Sequence, residues 1–194
     1  DRKCTPLLLD GLKERGVHAT FFLMGSNIEG KEDIVKRMSE EGHLIGNHSY
    51  EHIQLTKAGP EAVCEAVEHT QEQIEAITGK RPEYIRPPYG DWNEELEEEI
   101  GMTPVLWSLD SLDWKLKDTG KIIRQVLKDV KDGDIILMHD MYSTTADACE
   151  ELIPALIERG YQLVTVSELL NAKEITPVAG SVYSRVLSTE NVAS

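Results

Sequence analysis

Long apolar runs and positive charge are both scarce in this sequence. No run approaches the roughly 20 residues that a membrane-spanning helix needs. Lys and Arg number 20 against 35 Asp and Glu, so the formal net charge is −15 and the sequence pI is about 4.8. A surface this acidic repels phosphate backbones and anionic lipid, which argues against binding to nucleic acid or to a membrane surface. The lack of a long apolar run argues against membrane insertion. It excludes no neutral substrate, and sugars remain candidates.

Cysteine motifs, glycine-rich loops and targeting signals are missing as well. Cys4, Cys64 and Cys149 lie far apart without C-x-x-C spacing, so they form no zinc knuckle and allow at most one disulfide. No G-x-G-x-x-G or Walker-type loop is present, which argues against a nucleotide-binding doubly wound sheet. No signal peptide opens the sequence, so any export signal would lie upstream of Asp1 or would have been removed.

Short apolar runs typical of strands alternate with longer segments of helical period. The runs are nearly continuously apolar, as expected of parallel strands covered on both faces. They span 18–25, 43–48, 83–86, 103–109, 134–139 and 162–166. This alternation over 194 residues predicts a single α/β domain with a mainly parallel sheet, either a barrel or a doubly wound sheet. The missing nucleotide loops favour the barrel.

The two ends of the chain depart from this alternation. Residues 1–16 already read as a loop that enters a helix, so a closed barrel needs one more strand before them. We therefore expect the first strand to be absent from this chain. Residues 171–194 are irregular, and we expect them to form a tail that packs on a domain made by residues 1–170.

Polar motifs follow four successive strand-like runs. They are HSYEH at 48–52, RPPYG at 86–90, DSLDW at 110–114 and LMHD at 137–140. Parallel α/β folds build their sites at the carboxyl ends of strands, so this shared position predicts one active site.

The first of these motifs contains His48 and His52, which would share one face of a helical turn. Two imidazoles so placed suit zinc, cobalt, nickel, iron or copper better than magnesium or calcium. The spacing alone is weak evidence for a metal site, and two surface or capping histidines are the structural alternative. Glu51 does not make the zinc-protease pattern H-E-x-x-H, because it directly precedes His52.

The RPPYG motif is stiff, because its two prolines fix φ and remove two hydrogen-bond donors. The backbone N–H groups of Tyr89 and Gly90 are then left to point in one direction, as oxyanion donors would. A rigid turn that closes a strand explains the motif equally well. Arg86, at the end of the strand, is expected to pair with a carboxylate.

The last two motifs each allow a catalytic and a structural interpretation. Asp113 would orient a neighbouring base while Trp114 stacks on a sugar ring, or the two are a helix cap and a half-buried aromatic. His139 follows a strongly apolar run and needs a partner, so it is either a general acid or a hydrogen-bonded core histidine.

Together the four motifs resemble those of the polysaccharide deacetylases, the NodB-homology domain of carbohydrate esterase family 4, over about residues 5–170. The resemblance implies a distorted (β/α) barrel whose family pattern has one strand more than the runs found here. It implies a metal-dependent hydrolase that removes N- or O-linked acetyl groups from a polysaccharide such as peptidoglycan, chitin oligomers or xylan. Such substrates would place the protein outside the cell or in the cell envelope.

By that resemblance, His48 and His52 bind a divalent metal, with zinc expected first and cobalt or nickel as alternatives. Arg86 holds the catalytic base in place. The backbone N–H of Tyr89 helps the metal to stabilise the oxyanion.

The other roles implied by the resemblance fall on the second pair of motifs. His139 is the general acid for the leaving amine or alcohol, and Asp113 tunes it. Trp114 and Leu137 line the groove that takes the sugar and the acetyl methyl group. Metal-activated water attacks the acetyl carbonyl, and acetate leaves.

One family motif is not present. The T-F-D-D-G stretch, which supplies the catalytic base and an aspartate metal ligand, has no counterpart in this chain. Two imidazoles alone bind zinc poorly. We expect a missing N-terminal segment or a second polypeptide to complete the barrel. The alternatives are a catalytically impaired carbohydrate-binding relative and an unrelated metal hydrolase on a β/α barrel.

Overall fold

The computed structural model describes residues 1–187, which form two compact units. We call the first the sheet unit; it contains Thr20–Leu106 and Thr176–Tyr183. We call the second the helical unit; it contains Asp1–Ala19, Trp107–Ile175 and residues 184–187. Each unit positions one group of the predicted site residues.

The sheet unit is built on four parallel strands in the order β1-β2-β3-β4. The strands are β1 Thr20–Leu23, β2 Leu44–Asn47, β3 Tyr84–Ile85 and β4 Thr103–Pro104. The helices are α2 Glu32–Glu40, α3 Pro60–Thr78 and α4 Glu94–Ile100. Each helix connects two neighbouring strands, as parallel pairing requires.

Local sequence explains where these helices begin and end. Pro60 begins α3, where the backbone N–H that proline lacks would have had no hydrogen-bond partner within the helix. Gly79 ends α3 in the left-handed conformation, at φ 71°, as the C-cap pattern predicts. The apolar stripe of α3 enters a core whose buried members are Leu55, Val63, Val67, Ile85, Leu96 and Met102.

Up to residue 187, the helical unit contains five helices and one pair of short parallel strands. The helices are α1 Cys4–Glu14, α5 Asp113–Leu116, α6 Thr119–Asp129, α7 Ser143–Glu158 and α8 Val166–Ala172. The strands are β5 Leu109–Asp110 and β6 Ile136–Leu137. Its core cluster consists of Leu109, Ile122, Val126, Ala148 and Leu152.

Two of the predicted strands are corrected by the structure. The run 103–109 is two strands in two different sheets, because Leu106 donates to Tyr183 O whereas Ser108 donates to Ile135 O. The run 162–166 forms no strand within the described residues. Thr165 instead caps α8, with Glu168 completing a capping box, so the end of this run belongs to a helix start.

The segment 176–187 is divided between the two units, and it makes backbone hydrogen bonds within each. In the sheet unit, Tyr183 N donates to Pro104 O at 3.0 Å. In the helical unit, Val186 N donates to Gly133 O at 2.8 Å, and a Cβ at Gly133 would lie 1.9 Å from Val186 O. The predicted tail continues over 188–194, which lie outside the described residues. Among residues 1–187, no helix is long and apolar enough to cross a membrane.

Candidate active site

In the sheet unit, the two histidines of the first motif lie side by side after β2. The ring centroids of His48 and His52 are 4.8 Å apart, with an angle of 76° between the rings. The predicted helical turn is wrong, because residues 48–52 form a loop in which Ser49 and His52 have φ of 59° and 57°. Left-handed backbone at these two positions brings the rings together without a helix.

Asn47 holds this loop in place from inside the protein. Its side chain is fully buried, donates from Nδ2 to Val67 O at 2.8 Å and accepts at Oδ1 from Ser49 N at 2.8 Å. The His48 amide donates to Leu23 O at 2.9 Å, which ties the loop to β1. The left-handed turn at Ser49 is therefore fixed by side-chain and backbone hydrogen bonds together.

The hydrogen bond made by His48 defines which ring nitrogen is available to a metal. Nδ1 lies 2.5 Å from Arg86 O, and a carbonyl only accepts, so Nδ1 carries the proton and Nε2 the lone pair. Metal-binding histidines typically donate their second ring nitrogen in this way. This tautomer of His48 fits metal binding through Nε2. No group of three or more His, Cys, Asp or Glu that could hold a metal occurs within residues 1–187.

Arg86 is oriented by backbone carbonyls and an aromatic ring. Nε donates to Val105 O at 3.1 Å, Nη2 donates to Leu106 O at 3.0 Å, and the guanidinium lies 4.4 Å from the Phe22 ring centroid. Burial lowers the pKa of Arg86 to about 10, so the group stays charged at neutral pH. It brings a fixed positive charge to the end of β3.

Tyr89 has a strained backbone beside the histidine pair. Its φ is 63° and its ψ 2°, a conformation that costs a residue with a side chain about 1 kcal/mol or more. Gly90 N donates to Pro87 O at 3.0 Å, so the Gly90 amide is used within the turn. The Tyr89 ring centroid lies 4.7 Å from that of His52. Three predicted site residues of the sheet unit, His48, His52 and Tyr89, thus form one aromatic cluster.

In the helical unit, His139 and Asp113 form a dyad. The Nδ1 of His139 lies 2.8 Å from Oδ1 of Asp113, and the His139 amide donates to Oδ2 at 2.6 Å. The Asp113 side chain is fully buried, whereas 37% of the His139 side chain is exposed. The carboxylate accepts from Nδ1–H, so in the neutral ring Nε2 carries the lone pair.

The environment of Asp113 keeps this carboxyl ionised. Burial by itself would raise its pKa, but hydrogen bonds from His139 and Thr145 hold the pKa below the usual value. Thr145 donates from Oγ1 at 2.9 Å, and Trp114 N donates at 2.8 Å. Such a carboxylate orients an imidazole and stabilises its protonated form.

The two predicted groove residues differ in exposure. Trp114 is 47% exposed, and its Nε1 donates to Asp110 Oδ2 at 3.3 Å, so one indole edge is fixed. Leu137 is only 8% exposed and lies opposite Asp110 in the β5–β6 register. Trp114 therefore offers far more surface to a ligand than Leu137 does.

Two supporting residues were not predicted. Asn47 directly precedes His48, and a polar residue at the end of an apolar strand is the signal by which it could have been found. Thr145 reaches Asp113 across 32 residues of sequence, and no pattern marks it.

Comparison with known proteins identifies the family. The family model described as polysaccharide deacetylase matches residues 1–105, and the chain belongs to this family. The peptidoglycan-N-acetylmuramic acid deacetylase PdaC of Bacillus subtilis is 42% identical over 170 residues, which cover 88% of this chain and 36% of PdaC. The chain thus spans about a third of the length of the first curated relatives that it matches.

Solved structures confirm the predicted α/β fold class. The structure of PdaC from Bacillus subtilis matches with a TM-score of 0.87 and 41% identity, covering 90% of this chain and 86% of that one. A family 4 acetyl xylan esterase from Clostridium thermocellum, in complex with a cobalt ion, matches with a TM-score of 0.91 and 30% identity. That match covers 96% of this chain and 94% of the esterase.

Proposed function

We propose that the protein hydrolyses acetyl groups from an acetylated polysaccharide of the cell envelope, with peptidoglycan as the first substrate to test. Chitin oligomers and acetylated xylan are the other candidates. The observation that supports this activity most directly is the His139–Asp113 dyad in a chain of the polysaccharide deacetylase family. Such a substrate implies a protein that works outside the cytoplasm.

His139 is assigned the proton that the leaving group needs. Its Nε2 donates this proton to the sugar nitrogen or oxygen as the acetyl carbon–heteroatom bond breaks. Asp113, ionised and buried, stabilises the imidazolium before the transfer and keeps Nδ1 protonated throughout. The exposed face of Trp114 stacks on the sugar ring, and Leu137 is assigned to the acetyl methyl group.

His48 and His52 would hold a divalent cation through imidazole nitrogens, with zinc favoured over cobalt or nickel. When bound, that cation polarises the acetyl carbonyl and lowers the pKa of water. Tyr89 N–H is assigned to the oxyanion. Arg86 is assigned to hold the catalytic base through its fixed positive charge.

The donor set of the metal needs a further ligand. Catalytic zinc usually takes three protein ligands, and residues 1–187 hold no group of three that could supply them. We propose that a carboxylate from outside these residues, in the same protein or a second polypeptide, completes the set.

Acetate release tests the activity. The protein is incubated with peptidoglycan, chitin oligomers and acetylated xylan, with zinc, cobalt or nickel added, and acetate is measured against time. His139→Ala should lower kcat by about 10²–10⁴-fold, because general acid catalysis contributes about that much. His18→Ala is the matched control, since His18 pairs with Glu168 and has no assigned role. Absence of acetate release from all three glycans with every metal would instead support the impaired carbohydrate-binding relative.

A further inference from the structure

A lysine lies close to the candidate general acid. Lys117 Nζ lies 5.5 Å from the Tyr142 ring centroid, within the range of about 6 Å for a cation–π contact. The Tyr142 ring centroid lies 6.5 Å from that of His139. All three residues belong to the helical unit, so Tyr142 has the cation and the imidazole as neighbours.

The backbone at Lys117 is strained. Its φ of 47° and ψ of 38° are left-handed, at a helix C-cap where glycine is the usual residue. Glycine would adopt this conformation without steric cost. A lysine in this conformation, where glycine would be unstrained, suggests a use for its side chain.

No ion pair of Lys117 with a carboxylate is found in the described part of the chain. The adjacent Asp118 is used elsewhere: its Oδ1 accepts from Lys121 N at 2.8 Å, and its Oδ2 lies 3.9 Å from Lys121 Nζ. An exposed ammonium beside an aromatic ring, in a chain of net charge −15, is suited to a carboxylate brought by a ligand.

We propose that Lys117 is a specificity-determining residue that binds a carboxylate of the acetylated polysaccharide. The proposal rests on the proposed function, in which His139 serves the acetyl group that is removed. Tyr142 contacts both Lys117 and His139, so we assign to Lys117 a carboxylate on the reacting sugar or its neighbour. The substrate class is therefore an N-acetylated glycan that carries carboxylates, such as peptidoglycan strands, rather than a neutral chitin oligomer.

The test compares two glycans. Acetate release is measured on N-acetylglucosamine oligomers and on peptidoglycan glycan strands, for the wild type, Lys117→Gln and Lys117→Arg. The ratio of kcat/KM on the carboxylated glycan to that on the neutral one should fall about twofold to fivefold in Lys117→Gln, as for an exposed ion pair. Lys117→Arg should keep most of this ratio. Lys115→Gln, which changes an exposed lysine of the same short helix, should leave the ratio unchanged.

Equal losses on both glycans in Lys117→Gln would show a merely structural role and overturn the inference, and so would an unchanged ratio. If the wild type releases no acetate from these two glycans or from acetylated xylan with any of the three metals, the proposed function fails separately. Equilibrium binding of the same two glycans to the wild type and to Lys117→Gln then decides. A preference for the carboxylated glycan that Lys117→Gln loses supports the inference, and equal affinities in the wild type contradict it.

Discussion

Asp113 is a charged side chain with no exposed surface, and three kinds of hydrogen-bond donor stabilise its ionised carboxylate. An imidazole, a hydroxyl and two backbone amides all donate to its two oxygens. Hydrogen bonds to charged groups contribute about 1.5–3 kcal/mol each, and these offset the burial of the charge. The motifs imply that Asp113 and His139 act together, but the further donor to this carboxylate, Thr145, is brought to it only by folding.

Replacing Asp113 tests this dependence through acid stability. Because the folded-state pKa of Asp113 lies below its usual value of 3.8, the ionised carboxylate stabilises the fold above that pH. This contribution is lost as the pH falls through the folded-state pKa. Asp113→Asn should lower the free energy of unfolding by about 2 kcal/mol at neutral pH, and the difference from wild type should shrink on acidification. Urea unfolding between about pH 6 and pH 3 measures it; a constant difference contradicts it.

Cys64 and Cys149 should differ in reactivity because Cys64 is exposed and Cys149 is buried. Burial, aided by nearby carboxylates, raises the pKa of Cys149 to about 12, whereas Cys64 is exposed. Since the thiolate is the nucleophile, iodoacetamide should label Cys64 in the native protein and leave Cys149 unmodified until the protein is unfolded. Peptide mass mapping after alkylation checks this. Labelling of native Cys149 as fast as Cys64 is the contrary result.

At the scale of elements, the loop after β2 is the part that positions the candidate metal ligands. Its shape comes from the buried Asn47 side chain and from two left-handed residues, Ser49 and His52. The histidine spacing was informative about proximity but misleading about conformation. The conformation of a loop that is held by tertiary hydrogen bonds leaves no periodic pattern of residues in the sequence, so it could not be predicted.

Removal of the Asn47 side chain should therefore loosen the histidine pair. Asn47→Ala leaves Val67 O and Ser49 N without their partner, and this should lower the free energy of unfolding by about 1–3 kcal/mol. It should also weaken zinc binding. Chemical unfolding and a competition titration with a zinc chelator measure the two effects. The control is Asn27→Ala, which removes an exposed asparagine; equal results for the two variants would refute the role of Asn47.

The sequence predicted elements well where a period or a cap is local. The apolar runs predicted the strand ends that precede His48, Arg86 and His139. Gly79 predicted the end of α3. The prediction of a strand at 162–166 was wrong because Thr165 caps α8 and the apolar run before it is only a few residues long. The Asp113–Thr145 contact was beyond reach, since the two residues are brought together only by folding.

At the scale of the whole molecule, the net charge of −15 is the dominant electrostatic feature. Repulsion among surface carboxylates destabilises the compact state, and salt screens it over about 10 Å at 0.1 M. Raising NaCl from about 0.02 M to about 0.3 M should therefore raise Tm by a few degrees. Scanning calorimetry at the two concentrations checks this. A Tm that falls with added NaCl would mean that attractive ion pairs outweigh the repulsion.

All strand pairs in the sheet unit are parallel, which has a consequence for how this unit acquires its structure. Thr20 pairs with Leu44, and Asn47 pairs with Ile85. Each contact can form only after the chain between the two strands, with its helix, has returned along the sheet. Contacts of such large sequence separation must overcome loop-closure entropy before they gain hydrogen bonds. Refolding of this unit is therefore expected to be slow for its size, with the β2–β3 contact among the last to form.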